Sequence, residues 1–167
     1  MQLIHCTNKL QKEMGLKKAN LCEVVPKFSY LGSWHANLMY VGGRKCILFA
    51  NDKTLFNFIA AGVSRAQIRN LDDMFKNLLQ CVLADECFEV SVIEKIMSEY
   101  EELRYAKTVN KSVLGSMNEL AFNYKYCIQD AGGVHSQAVP SIIGKLNRMP
   151  LGAIDYVYPI EAVRALF

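Results

Sequence analysis

The chain lacks any apolar run approaching the roughly 18 residues that a membrane-spanning helix requires, which excludes a helical transmembrane protein. The stretch from Met1 to Leu10 meets polar Thr7, Asn8 and Lys9 at once and has no basic, apolar and small-residue zones in series, so no signal peptide is read there. The chain is expected in the cytoplasm. It also lacks a CxxC pair: the closest of its six cysteines, Cys81 and Cys87, have the wrong spacing for a zinc knuckle. Four cysteines sit inside apolar patterns, where a thiol packs as a small hydrophobe, so neither a disulfide nor a structural metal is expected. There is no GxxxxGK[ST] loop, no GxSxG elbow and no dinucleotide fingerprint. No cofactor is inferred.

What is present suffices for an ordinary core. With 167 residues, 51% of them hydrophobic and 21% charged, the chain reads as one domain spanning residues 1–167 that needs no cross-links. The net charge of +3 conceals a tilt: residues 1–83 carry 11 basic and 5 acidic side chains, whereas residues 84–167 carry 8 and 11. That is too mild, and too free of aromatic-basic clustering, to indicate nucleic acid.

Met1 to Cys6 alternates as a strand does, and Thr7 caps a short helix through Met14 that Gly15 ends. Leu16 to Ser33 has no period, contains Pro26 and Gly32, and reads as a surface connection with an extended piece near Val24, the most mobile part of the chain. Trp34–Val41 and Lys45–Ala50 flank Gly42-Gly43 and read as a β-hairpin. Leu55–Ala60 is short enough to be strand or helix, and strand is preferred.

Leu71, Met74, Phe75, Leu78, Leu79, Val82 and Leu83 fall at helical spacing, with Asn70 read as the cap. Val92, Ile93, Ile96, Met97 and Tyr100 predict a second helix, capped by Ser91, with Glu94, Lys95 and Glu99 toward water. Arg104–Thr108 reads as a short strand. Val113, Met117, Leu120, Ala121, Tyr124 and Ile128 predict the longest helix, stopped by Gly132 and Gly133. Pro140 to about Asn147, and Ile160 to Leu166, predict two more, and the tyrosines of Tyr156-Val157-Tyr158 are expected on the sheet. The fold class is α+β: a small antiparallel or mixed sheet built from the first strand and the hairpin, packed against four to six helices.

The segments Gly32–Leu38 (GSWHANL), Arg44–Phe56 (RKCILFANDKTLF), Lys107–Asn118 (KTVNKSVLGSMN) and Tyr158–Ala162 (YPIEA) together resemble a bacterial family catalogued as a domain of unknown function. The resemblance covers nearly the whole chain. It implies a bacterial, single-domain, cytosolic protein, and it carries no activity, cofactor or site residue onto these positions.

The candidate site rests on the residues themselves. His35 and Asn37 point the same way from one strand, and Asn51 and Asp52 end the next. With the tight turn between Val41 and Lys45, Asn51 should lie opposite the start of the first hairpin strand, near His35. Lys107 to Ser116 is a strand-to-helix passage in which Ser112 or Ser116 serves as cap, Ser116 with Glu119 fits a capping box, and free amides with Lys107 and Lys111 would hold an anion or phosphate. Asn110 and Asn118 belong to the same binding set.

Each of these also has an ordinary role. Lone histidines are more often structural than catalytic, Asn-Asp pairs build turns, and serines at helix starts cap them; His5 and His135 carry even less weight than His35. Two uses follow. The preferred one is a binding or interaction module for a protein partner or small anionic ligand, with a homodimer reasonable from an open strand edge. The alternative is an enzyme on a phosphate- or acyl-bearing substrate, with His35 as general acid or base, Asp52 orienting it and Lys107 holding negative charge. That alternative requires an accessible His35. A metal hydrolase would need His35, Asp52 and His5 or Cys46 to meet, which sequence spacing does not support.

Overall fold

In the computed structural model, which describes residues 1–26 and 28–167, strands β1 (Gln2–Cys6), β2 (Trp34–Val41), β3 (Arg44–Asn51), β4 (Asn57–Ala61) and β5 (Leu103–Lys107) form a mixed sheet in the order β4-β3-β2-β1-β5. β1 is parallel to both its neighbours, whereas β2, β3 and β4 are successively antiparallel. The β2–β3 hairpin turns at Gly42 and Gly43, whose φ angles of 56° and 76° suit residues without a Cβ.

Helices α1 (Asn8–Met14), α2 (Arg65–Arg69), α3 (Leu71–Asp85), α4 (Val90–Ser98), α5 (Lys111–Asp130), α6 (Val139–Leu146) and α7 (Pro159–Arg164) complete the α+β fold, with short 3-10 turns at Lys18–Asn20 and Gly152–Ile154. Among the described residues α2 is the helix beyond the expected four to six; it lies in a stretch to which the sequence pattern assigned no element and starts at a capping box between Ser64 and Gln67. No helix among the described residues is long and apolar enough to cross a membrane.

The period-2 alternation sorts the sheet into two faces. On one, Trp34, Phe49 and Phe58 meet Phe75 of α3, with ring centroids 5.1–5.8 Å apart, and Phe75 in turn meets Tyr100 at 5.3 Å. These rings are fully buried, and truncating one such as Phe75 to alanine would cost about 3–5 kcal/mol. Across the other face the register sets Ala106, His5, His35, Ala50 and Asn57 in one row. Alanines on either side leave room for two imidazole rings side by side. At the end of that row Tyr124 of α5 donates to Asn57 Oδ1 at 2.6 Å, which places α5 over this face. The inward stripe of α5 is as its spacing predicts, with Val113, Met117, Leu120, Tyr124 and Ile128 buried and Ala121 half-buried.

The irregular chain between α1 and β2 is anchored at both ends. The Cys22 amide donates to Tyr105 C=O at 2.7 Å, covering part of the β5 edge. Further on, both carboxylate oxygens of Glu99 accept from the backbone: Oε1 from Tyr30 at 3.1 Å and Leu31 at 3.0 Å, Oε2 from Gly32 at 3.1 Å. Glu99 therefore does not simply face water. The reason is long-range: α4 ends beside the loop entering β2, and Tyr100, next in sequence, accepts from Trp34 Nε1 and donates to Gly32 C=O.

Other local expectations change for similar reasons. α4 starts one residue before Ser91, behind Glu89. Asn70 makes no capping hydrogen bond to α3, since its amide donates to Asp73 instead. Tyr156, Val157 and Tyr158 do not pack on the sheet; they lie exposed between the second 3-10 turn and α7.

Candidate functional site

His5 of β1 and His35 of β2 are direct cross-strand partners, so their rings project side by side from one face. The centroids lie 4.7 Å apart with 29° between the planes. Asp52, in the turn after β3, reaches back across both rings. Its Oδ1 is 2.7 Å from His35 Nδ1, and its Oδ2 is 3.6 Å from His5 Nε2. The turn holds because buried Asn51 saturates its own amide: Nδ2 donates to Leu31 and Ser33 carbonyls, and Oδ1 accepts from Lys53 N, Thr54 N and Thr54 Oγ1.

Proton positions follow from what each partner can do. A carboxylate only accepts, so His35 Nδ1 carries a hydrogen, while Nε2 is fully buried and without a hydrogen-bond partner. A carbonyl also only accepts, so His5 Nδ1, 2.7 Å from Lys107 O, is the donor there. In neutral His5 the Nε2 is then a lone pair, facing Asp52. Burial lowers the pKa of His5 below its ordinary value; the Lys107 carbonyl and Asp52 push against that shift, and His35 adds to it.

Asp52 is partly open to solvent, and two adjoining cavities meet at His5. One, about 550 Å³, runs past Asp52, Ser33 and Phe28, and the other, about 330 Å³, past Cys22, Ala106 and Lys107. Both are bordered by Leu3, His5, Val25 and Val109, so together they form a cleft roofed by the anchored loop. A separate cavity of about 570 Å³, bordered by His135, lies between β4, α3 and α6, along the sheet from His5 and His35.

The other sequence candidates divide. Asn51 pairs with Trp34 in the hairpin register, beside His35, but its hydrogen-bonding capacity is spent on the turn. Asn37 lies two residues along from His35 and accepts from Thr7 Oγ1 at 2.8 Å. Lys107 enters the site through its backbone carbonyl, while its side chain is exposed. Asn110 is the cap of α5: its Oδ1 accepts from Ser112 N at 2.9 Å and Val113 N at 3.2 Å, taking amides that an anion would have used. Ser116 is not a cap, being buried inside the second turn, and Ser112 and Asn118 are exposed on α5.

His35 itself is fully buried. Its ring cannot touch a substrate, which removes it as a direct general acid or base. The residue that sequence reasoning undervalued is His5. Its parity in β1 was legible, but its neighbour was not, because β1 pairs with strands 30 and 100 residues away. Among the described residues no set of three or more His, Cys, Asp or Glu side chains stands in a metal-holding arrangement.

A family model described as a domain of unknown function, DUF6933, matches residues 3–162. No curated protein and no solved structure matches the chain.

Proposed function

The chain belongs to the DUF6933 family, and we propose that it is a binding module whose ligand occupies the cleft above His5 and Asp52. The observation that supports this most is the pairing of a concave, mostly apolar wall with two convergent polar groups on its floor, the usual makeup of a small-molecule site. The combined volume suits a small organic ligand, and of the two floor groups His5 stands on a paired strand while Asp52 is held in its turn by the buried amide of Asn51 and by His35. A small anion at the start of α5 is the weaker choice, since Asn110 already occupies two of the amides there. The cysteines are unpaired, with Cys81 and Cys87 exposed, which fits a reducing compartment such as the cytoplasm.

A fragment screen by NMR tests the reading. Bound fragments should move the resonances of Leu3, His5 and Ala106, and Val109→Trp, a change at an exposed position on the cleft border, should abolish those shifts while leaving the fold intact. Fragments that shift only residues elsewhere, or that ignore Val109→Trp, would place the ligand outside this cleft.

A second reading is an enzyme on an acyl- or phosphate-bearing substrate, and it now turns on His5. His5, with its Nδ1–H anchored on the Lys107 carbonyl and an Nε2 lone pair in its neutral form, is the candidate general base. Turnover of simple aryl esters or aryl phosphates that disappears in His5→Asn would favour it over binding alone.

A further inference from the structure

Resting on the binding reading above, we infer that the head group recognised in the cleft is a primary ammonium, seated between His5 Nε2 and Asp52 Oδ2 with its apolar body against Leu3, Val25 and Val109. The two atoms are both acceptors. His5 is committed by its Nδ1 donation to Lys107 O, and Asp52 is held in place by His35 at Oδ1, leaving Oδ2 turned to the other ring. At 3.6 Å the pair is too far apart for a hydrogen bond of its own, and no described donor lies between them. Two acceptors facing one another without a shared hydrogen repel, and the arrangement is relieved by a donor that serves both.

A nitrogen sitting about 2.9 Å from each would reach both atoms with near-linear bonds from two of its hydrogens. An ammonium supplies those hydrogens and adds the charge that a carboxylate favours. Competing internal cations are engaged or turned away: Lys53 Nζ donates to the carbonyls of Ser29 at 2.8 Å and Tyr30 at 2.9 Å, and the Lys107 side chain is exposed. The anionic ligand anticipated from sequence would instead meet the Asp52 carboxylate. His35, sealed behind Asp52, acts as a positioning residue that fixes the carboxylate's orientation.

Four probes of one chain length separate the possibilities: pentylammonium, pentyltrimethylammonium, pentanoate and pentanol, each titrated into the intact protein with imidazole 15N and backbone spectra recorded. Pentylammonium should shift His5 Nε2 and bind roughly tenfold or more tightly than the quaternary cation, which has the charge but no N–H, and than pentanoate. Equal binding of the primary and quaternary cations would overturn the inference, as would pentanol moving Leu3, Ala106 and Val109 while pentylammonium leaves His5 Nε2 unmoved. In both cases a cleft ligand survives. Should none of the four perturb the cleft, the inference and the binding reading fall together.

Discussion

The carbonyl oxygen of Lys107 fixes the tautomer of His5: it accepts the Nδ1 hydrogen at 2.7 Å across the boundary between β5 and β1. A main-chain acceptor cannot be removed by changing the lysine side chain, so Lys107→Ala should leave the His5 tautomer unaltered. Imidazole 15N shifts of the variant against wild type check this, and a change in the His5 pattern would mean that the ammonium rather than the carbonyl governs the ring.

Acid should weaken the fold through His5. Its folded pKa lies below the ordinary 6.5, because burial penalises the charged ring more than Lys107 O and Asp52 favour it. Between the lowered folded value and 6.5 the unfolded chain binds more protons, so stability is highest above 6.5 and declines as pH falls through that window. Urea midpoints measured across this range should fall more steeply for wild type than for His5→Asn, which keeps a donor toward Lys107 but does not titrate. Parallel curves would locate the acid sensitivity elsewhere.

Removing the Asp52 carboxylate strands a buried donor. In Asp52→Ala the Nδ1–H of His35, a buried residue, loses its acceptor, a loss of about 1–3 kcal/mol. Asp52→Asn, which retains an acceptor oxygen, should lose less. Equilibrium unfolding in denaturant orders the two variants, and identical stabilities for Asp52→Ala and wild type would contradict the bond.

Glu99→Gln should loosen the loop that roofs the cleft. Three backbone N–H groups, of Tyr30, Leu31 and Gly32, converge on one carboxylate, and an amide offers a single acceptor oxygen in their place. Amide exchange at residues 30–32 should accelerate in the variant while the β2–β3 hairpin stays protected. Affinity for any cleft ligand should drop in step, through the roof rather than the floor.

Tyr124→Phe tests how α5 is pinned to the sheet. The Asn147 side chain clasps the Asn57 backbone, with Asn57 N donating to Asn147 Oδ1 at 2.9 Å and Asn147 Nδ2 to Asn57 O at 2.7 Å. Asn57 Oδ1 relies on the tyrosine hydroxyl, so its loss should cost about 1–3 kcal/mol with little change in backbone spectra. A neutral result would show that buried water replaces the hydroxyl.

Much of this architecture was determined by sequence alone because its causes are local. Alternation on either side of Gly42-Gly43 makes the hairpin, and it also sets Asn51 across from Trp34, since a hairpin's register follows from its turn. Thr7 and Gly15 bound α1, and the 3.6-residue stripe of α5 buries the side it predicts. The bond between His35 and Asp52 follows nearly as directly, from two strands joined by one turn. What only the tertiary structure decided is which strand lies next to which. Parity says that His5 faces one side of β1, yet only parallel pairing with β2 and β5 brings it against His35 and gives it the Lys107 carbonyl. The same holds for Glu99, a solvent-facing carboxylate by helical spacing, which the fold turns into the anchor of a loop nearly 70 residues earlier in the chain. Local physics chooses conformations and faces; the neighbours across a parallel sheet are set by burial of the whole core, and it is there that the histidine bordering the cleft is found.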